Sequence, residues 1–184
     1  MPKIVDHELY REELLGKSMA IFVEKGVASV SMRELSKELG VSTGTLYHYF
    51  PTKEALFSSM VRFFVAKDAK EITEISELGE KSVWELLNYI STKESHFLNL
   101  ILLALDVRRH HADSSDLSIL LEESWNSYRL LLDRFFPEEK NTHTGEAFLS
   151  FFVGALFLKT SRHKETKWLD LFEGLGQISN FFRR

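Results

Sequence analysis

The sequence predicts an all-α fold, and three observations support this prediction. Apolar residues recur at spacings of three and four along most of the chain, as on one face of an amphipathic helix. No stretch alternates apolar and polar residues for long enough to indicate a β-sheet. Only 3 prolines and 9 glycines interrupt the 184 residues, which favours long helices over a turn-rich sandwich. A chain of this length buries a core without disulfides or a structural metal.

Local start and stop signals divide the first part of the chain. Gly26 and Gly40 stand where helix C-caps belong, Ser31 and Ser42 stand where N-caps belong, and Pro51 must end a helix. Ser31 also forms a capping box with the glutamate three residues later. These signals predict helices over residues 6–25, 32–39, 43–48 and 53–76.

The rest of the chain is predicted to contain longer helices. The apolar spacing indicates helices over residues 82–109, 116–136, 144–162 and 167–182. The predicted breaks between them are polar stretches near residues 113–115, 137–142 and 164. The most apolar stretch, residues 147–158, is too short to cross a bilayer, which needs about 20 residues.

The pair of short helices has the pattern of a helix-turn-helix. Gly40 permits a sharp turn, and Val41 and Leu46 are placed to pack against Leu35 of the first short helix. The second short helix presents small or hydroxylated side chains suited to close approach and hydrogen bonding with DNA. These are Thr43, Gly44, Thr45, Tyr47 and Tyr49. The pattern alone is only moderately specific, because any three-helix bundle has short connections.

Residues 14–57 closely resemble the DNA-binding domain of the tetracycline-repressor (TetR) family. The matching motifs are Leu14-Leu15 with Ile21-Phe22, Glu24-Lys25-Gly26, Ser31-Met32-Arg33-Glu34-Leu35, Leu39-Gly40-Val41-Ser42, Gly44-Thr45-Leu46-Tyr47-His48-Tyr49-Phe50 and Lys53-Glu54-Ala55-Leu56-Phe57. Several independent motifs at matching spacing make chance similarity improbable. The remaining residues are similar to the family only in length, helix content and helix order.

The resemblance implies that the second short helix enters the major groove of double-stranded DNA. It assigns the N-terminal half of that helix to bases or the adjacent phosphates: Thr43, Gly44, Thr45 and Tyr47. It assigns to the phosphate backbone Ser31, Tyr49 and Lys53, and the expected interface also includes Ser42 and His48. Arg33 either reads a base or belongs to a solvated face. Phe50 is expected in the core, and core placement of Tyr47 is the alternative to a DNA contact.

The last two predicted helices carry an apolar stripe with small residues that permit close helix contact. So much apolar surface would be a liability if exposed, and the resemblance also implies that two subunits bury it in a four-helix bundle. The expected contacts of this homodimer are Phe151, Gly154, Ala155, Leu158, Trp168, Phe172, Leu175 and Ile178. An internal core is the alternative interpretation.

The helices between these two regions are rich in large apolar residues and are expected to hold a small-molecule effector. The effector would be hydrophobic with few polar groups. The candidate contacts, most of which could equally be ordinary core, are Phe63, Trp84, Asn88, Phe97, Ile101, Trp125, Tyr128 and Phe152.

Other functions lack sequence support. The chain has no cysteine, which excludes a disulfide scaffold and thiol chemistry and fits a cytoplasmic protein. No signal peptide, membrane partner, catalytic residue or cofactor is predicted. His110 and His111 with Asp106 and Asp113 could suggest a metal site, but a charged helix end explains them better, so no metal is predicted.

Net charge does not exclude a DNA partner. The chain carries −4 overall, but residues 1–53 contain seven Lys or Arg and seven Asp or Glu, so all of the acidity falls on residues 54–184. A neutral DNA-binding segment predicts modest non-specific affinity, leaving much of the binding to specific contacts and dimerisation.

The sequence therefore predicts a DNA-binding domain over residues 1–52, extended by the start of the fourth helix at 53–57, and a sensing and dimerisation domain over residues 53–184. The predicted function is that of a dimeric repressor that binds a palindromic operator and is released by an apolar effector. The alternatives are an activator or global regulator of the same family, and an all-helical enzyme or adaptor.

Overall fold

The structure, a computed structural model, describes residues 6–79, 82–110, 115–135, 143–161, 167–168 and 170–174. The helices are α1 (His7–Lys25), α2 (Met32–Leu39), α3 (Thr43–Tyr49), α4 (Lys53–Ser76), α5 (Ser82–Thr92), α6 (Glu94–His110), α7 (Ser115–Asp133) and α8 (Thr144–Ser161). No strand occurs in these ranges, and the all-α prediction is confirmed. None of the helices within them is both long and apolar enough to span a membrane.

The first four helices begin and end within one residue of the predicted positions, because each start has a capping side chain. Asp6 Oδ1 accepts the backbone N–H groups of Glu8 and Leu9 at 3.0 and 3.2 Å. The hydroxyl of Thr52 accepts the N–H of Ala55 at 3.0 Å at the start of α4. These bonds satisfy N–H groups that have no partner inside their own helix.

The prediction of a single helix over residues 82–109 was wrong. Two helices, α5 and α6, meet there at Lys93. The hydroxyl of Thr92 donates to the carbonyl of Tyr89 at 2.9 Å, and the N–H of Lys93 is shared between the carbonyls of Tyr89 and Ile90. A hydroxyl that bonds its own preceding turn competes with the regular helical pattern. No glycine or proline marks this break in the sequence.

Towards the C-terminus, the predicted starts of α7 and α8 lie within one residue of those observed, whereas α7 ends three residues earlier than expected. For the last predicted helix, over residues 167–182, the described residues 168 and 170–174 are helical. The remainder of that prediction, including Leu175 and Ile178, lies outside the described residues.

The described residues form two compact units. The first comprises the described residues within 1–69 and 99–127, and the second comprises those within 70–98 and 128–184. The prediction that residues 1–52 bind DNA and that residues 53–184 sense the effector and dimerise concerns function rather than contacts, and it stays a prediction.

The core of the first unit is built around large side chains with no measurable exposure. Phe22 and Phe57 meet edge to face with centroids 5.3 Å apart, and Leu46 of α3 lies in the same cluster. Leu103 and Val107 of α6 complete it. Burying such side chains stabilises the fold by about 1.5–3 kcal/mol each, so α3 is attached mainly through its apolar face.

The second unit has an aromatic core with a polar network beside it. Phe97 packs against Phe152 with centroids 5.4 Å apart, and Phe152 packs against Trp168 at 5.3 Å. The carboxylate of Glu94 accepts from the indole of Trp168 and from Lys159 Nζ, the latter at 2.5 Å. The ammonium of Lys159 lies 5.0 Å from the Trp168 ring centroid, within cation–π range.

Gly145, in the first turn of α8, is in close contact with α7. Its N–H donates to Asp133 Oδ1 at 2.7 Å, and Asp133 Oδ2 accepts from Arg129 at 3.1 Å. A Cβ at position 145 would lie 2.4 Å from Asp133 Oδ1 and 2.5 Å from the backbone oxygen of Arg129. The backbone oxygen cannot move aside as a side chain can, so only glycine fits.

We expect Gly145→Ala to destabilise the protein by about 1–3 kcal/mol, because the added methyl group collides with α7. Gly16→Ala is the control, since Gly16 is exposed in α1 with no atom within 4 Å of its Cβ position. That change should stabilise by up to about 1 kcal/mol through helix propensity. Urea unfolding followed by circular dichroism measures both, and equal effects in the two variants would contradict the close contact.

Candidate nucleic-acid interface

The turn between α2 and α3 is fixed by two backbone hydrogen bonds. Gly40 adopts the left-handed conformation (φ 71°, ψ 29°), and its N–H donates to the carbonyl of Lys37 at 3.2 Å. The N–H of Val41 donates to the carbonyl of Ser36 at 2.9 Å. This pair of bonds is a Schellman motif, which ends α2 abruptly and redirects the chain. The angle at which α3 leaves α2 therefore depends on a residue that tolerates positive φ.

One face of α3 is anchored to the core. Leu46 and Phe50 are 0% and 1% exposed, and Arg11 lies over the ring of Phe50 at 5.2 Å. The core placement expected for Phe50 is confirmed, and Val41, Leu46 and Leu35 share the core cluster as predicted. This packing leaves the opposite face of the helix exposed.

The exposed face of α3 carries Gly44, Tyr47 and His48, which lie at i, i+3 and i+4. Tyr47 is 51% exposed, in agreement with the prediction that it is not a core aromatic. A Cβ at Gly44 would have only the Ser42 hydroxyl within 4 Å, at 3.8 Å, so this position is open to close approach. An α-helix with one exposed face has the dimensions that a DNA major groove admits.

The two threonines of α3 make hydrogen bonds within the protein. Thr43 Oγ1 and Ser36 Oγ are 2.9 Å apart, and Thr45 Oγ1 and Ser42 Oγ are 2.7 Å apart. Ser42 also caps α3 by accepting the N–H of Thr45 at 2.9 Å. A hydroxyl has one donor and two acceptor sites, so both threonines keep capacity for a further bond.

Tyr49, at the end of α3, is held by α1 and by its neighbour. Its hydroxyl and His7 Nδ1 are 2.8 Å apart. Its ring lies 5.7 Å from that of Tyr10 and 5.2 Å from that of His48. The hydroxyl of Tyr49 is therefore positioned by the first turn of α1.

The remaining predicted DNA-contact residues lie on neighbouring helix starts. Arg33 is exposed in the first turn of α2, next to the capping residue Ser31. Lys53, the first residue of α4, donates from Nζ to the carbonyl of Ala28 at 3.0 Å. An ammonium has three donors, so this bond leaves two that could reach a phosphate.

Charge around α3 is compatible with a polyanion. The 15 residues from Leu39 to Lys53 contain no Asp or Glu. The nearest acidic residue before them, Glu38, pairs with Lys25 at 2.9 Å. This hydrogen bond lowers the pKa of Glu38 below its ordinary value and raises the pKa of Lys25, so both stay charged near neutral pH.

Glu34 in α2 has a lowered pKa as well. The Ser31 hydroxyl donates to Glu34 Oε2 at 2.7 Å, and the Ser31 N–H donates to the same oxygen at 2.9 Å. These two bonds favour the ionised form, the hydroxyl having the larger effect on the pKa. Ser31 Oγ in turn accepts the Glu34 N–H at 3.2 Å, which completes the predicted capping box.

Three of the candidate effector contacts come together in the second unit. The Phe97 ring lies 6.3 Å from that of Tyr128 and 5.4 Å from that of Phe152. Trp84 and Asn88 are exposed on α5 in that unit. The first unit holds the other three, which are Phe63, Ile101 and Trp125.

The predicted dimer residues divide into exposed and buried sets. Gly154 and Leu158 are exposed on α8, and Phe151 packs against Phe172 at 5.3 Å with both rings half-buried. Ala155 and Trp168 are each 4% exposed, so their side chains lie inside the chain's own fold.

The sequence did not predict that Phe157 is exposed on α8 or that Asp106 contacts the loop after α1. Phe157, 65% exposed, follows Gly154 by three positions on α8, so helical spacing from that glycine could have identified it. The carboxylate of Asp106 on α6 accepts the N–H of Val27 at 2.7 Å. No local signal marks a contact between residues 79 positions apart.

The metal site that the sequence analysis rejected would consist of Asp106, His110, His111 and Asp113. Two of these, His111 and Asp113, lie outside the described residues.

The Schellman turn, the capped α3 and its exposed, acid-free face define a helix-turn-helix protein. Residues 14–60 match the family model of bacterial regulatory proteins of the tetR family. The chain is 32% identical over 98 residues to the HTH-type transcriptional regulator PksA of Bacillus subtilis, covering 51% of this chain and 48% of PksA. The aligned part thus spans about half of that relative.

Solved structures share the fold over nearly the whole chain. A TetR transcriptional regulator from Legionella pneumophila superposes with a TM-score of 0.75 at 15% identity, covering 96% of this chain and 98% of that one. The transcriptional regulator FadR from Bacillus subtilis superposes with a TM-score of 0.70 at 18% identity, covering 89% and 94%. The helix-turn-helix region, residues 14–60, is similar to the DNA-binding domain of the TetR family, as its motifs predicted. The family and these relatives are regulators, not enzymes.

We expect Ser31→Ala to raise the pKa of Glu34 towards its ordinary value, because the hydroxyl that stabilises the carboxylate is lost. A lowered native pKa contributes stability that is present above the ordinary pKa of Glu and is lost as pH falls through the lowered value. The stability difference between wild type and variant should therefore shrink below about pH 4.

Side-chain carboxyl NMR titration measures this pKa, and Ser29→Ala, an exposed serine two residues earlier, is the control. An unchanged titration of Glu34 in Ser31→Ala would contradict the capping-box assignment.

Proposed function

We propose that this protein is a homodimeric repressor that binds a palindromic operator and is released by an apolar effector. The observation that carries the DNA-binding part is the exposed face of α3, formed by Gly44, Tyr47 and His48 on a helix with a buried opposite face. DNA binding is assigned to residues 1–52 with the start of α4, and sensing and dimerisation to residues 53–184.

The proposed interface uses bases and phosphates differently. Tyr47 and Gly44 meet base edges, with Arg33 beside them from α2, while Thr43 and Thr45 use their remaining hydrogen-bonding capacity at the groove edge. The phosphate contacts come from His48 and Tyr49 at the end of α3 and from the helix starts, through Ser31, Ser42 and Lys53.

Dimerisation is proposed through the exposed stripe on α8. Gly154, Phe157 and Leu158 lie at i, i+3 and i+4, and Phe157 and Leu158 are 65% and 46% exposed. No atom lies within 4 Å of a Cβ at Gly154, so a helix of a second subunit could approach closely there. Phe151 and Phe172 flank the stripe, and two symmetry-related half-sites require such a two-fold assembly.

The effector is proposed to be an apolar molecule held among aromatic side chains of the second unit, such as Phe97, Tyr128 and Phe152. FadR from Bacillus subtilis was solved in complex with stearoyl-CoA, which supports a long acyl chain as one class. To release DNA, such a molecule must bind the DNA-free arrangement more tightly than the DNA-bound one.

An activator or global regulator would use the same contacts with a different operator position.

Tyr47→Ala is expected to weaken binding to a selected operator by about 1–3 kcal/mol, roughly 5-fold to 150-fold in Kd, because a base-facing contact is lost. The operator is first selected from random duplex DNA with the wild-type protein, and gel-shift titrations at several salt concentrations measure the affinities.

Leu78→Ala is the control, because Leu78 is as exposed as Tyr47, at 52% against 51%, but lies after the end of α4. It should bind like wild type. Wild-type protein that shows no salt-sensitive, sequence-selective binding would contradict the regulator function and favour an enzyme or adaptor.

Native mass spectrometry at micromolar concentration should show a wild-type dimer and a monomeric Phe157→Glu, Leu158→Glu double variant, because two charges per subunit would be buried unpaired. Ile119→Glu is the control at another apolar position, 51% exposed on α7, and should stay dimeric. A monomeric wild type would refute the dimer. The same spectra report the mass of any apolar ligand retained through purification.

A further inference from the structure

The loop between α1 and α2, residues 26–31, is held by side chains from two later helices. The N–H of Val27 donates to Asp106 Oδ2 on α6 at 2.7 Å. The carbonyl of Ala28 accepts from Lys53 Nζ at the start of α4 at 3.0 Å. All of these residues belong to the first compact unit. The loop that joins α1 to the helix-turn-helix is thus tied to α4 and α6 by one hydrogen bond each.

The Val27 N–H needs an acceptor from outside its own helix. It follows Gly26, whose positive φ (79°) ends α1 and whose own N–H bonds the carbonyl of Phe22. Val27 is 0% exposed, so its backbone has restricted access to water. A carboxylate is the strongest acceptor available, because charge-assisted hydrogen bonds are short and strong.

The Asp106 carboxylate is directed to this loop rather than to its own helix. Its distance to His110 Nε2, one turn on, is 3.7 Å, which is longer than a hydrogen bond. A Cβ at Gly26 would lie 3.6 Å from both carboxylate oxygens, so the carboxylate sits against the loop backbone. Its neighbours Leu103 and Val107 are buried in the shared core and hold α6 in place.

We infer that Asp106 is a positioning residue that fixes how the segment α1–α3 is seated on α6. In a dimer, this seating sets the separation of the two recognition helices and thereby the half-site spacing that the protein accepts. This inference rests on the proposed dimeric DNA binding. Because successive base pairs are about 3.4 Å apart, a displacement of α3 by this amount changes the matching spacing by one base pair.

A substitution at Asp106 tests the positioning of the loop without removing a proposed DNA contact, whereas a substitution at Lys53 does not. Lys53 belongs to the proposed phosphate-binding set, so its removal would alter both. Asp106 lies on α6 and donates nothing to DNA, so its effect must pass through the Val27 bond.

The test measures spacing preference rather than affinity alone. Wild type, Asp106→Ala and Asp106→Asn are titrated on the selected operator, on a single half-site, and on operators with one base pair added or removed at the centre. Asp106→Ala should bind the half-site within twofold of wild type but lose about tenfold on the full operator. The ratio of its affinity for the selected spacing to its affinity for the altered spacings should fall towards one.

Asp106→Asn keeps an oxygen acceptor and should retain the wild-type preference. Glu123→Ala is the matched control, since Glu123 is a carboxylate in the same unit that pairs with Arg62 at 3.0 Å. If Asp106→Ala shows no cooperative thermal unfolding, Asp106→Leu, which fills the space without accepting a hydrogen bond, replaces it.

Wild-type spacing preference in Asp106→Ala, or equal losses on half-site and full operator, would overturn the positioning role while leaving the proposed function intact. A wild type that selects no two-fold site would instead overturn the proposed function, and this inference with it.

Discussion

The left-handed conformation of Gly40 is the constraint on which the DNA-binding geometry depends. It lets the carbonyls of Ser36 and Lys37 accept hydrogen bonds at the end of α2, and it leaves only Val41 and Ser42 before α3 begins. The Ser42 hydroxyl then accepts the N–H of Thr45 in the first turn of α3. Because the connection is short and held by these bonds, the direction of α3 is set by backbone geometry. The packing of Leu46 and Phe50 in the core stabilises that direction but does not determine it.

Local features were predictable wherever a short-range signal exists. Caps at Ser31 and Ser42, glycines at the ends of α1 and α2, and Pro51 before α4 helped to locate α1 to α4, since each acts within about four residues of sequence. The break at Lys93 was not predictable, because Thr92 ends α5 by a side-chain bond that serines and threonines inside continuous helices also make. Helix propensity alone does not distinguish the two outcomes.

Contacts between distant residues explain the other omissions. Asp106 looked like part of a charged helix end, and only the folded chain brings it to Val27. The predicted dimer stripe mixed positions that the protein buries itself, such as Ala155, with positions that it leaves exposed. An apolar residue on a helix has the same pattern in both cases, so sequence periodicity identifies apolar faces without telling which surface covers them.

The hydrogen bonds of the two threonines on α3 restrict how this protein could evolve or be redesigned towards other operators. Thr43 and Thr45 contribute to the internal structure through Ser36 and Ser42, so replacing either alters the helix that carries the proposed DNA-contacting face. Gly44 has no side chain, and the side chain of Tyr47 is 51% exposed. New sequence preferences should therefore arise first at these two positions, where a changed side chain alters recognition without also altering the framework.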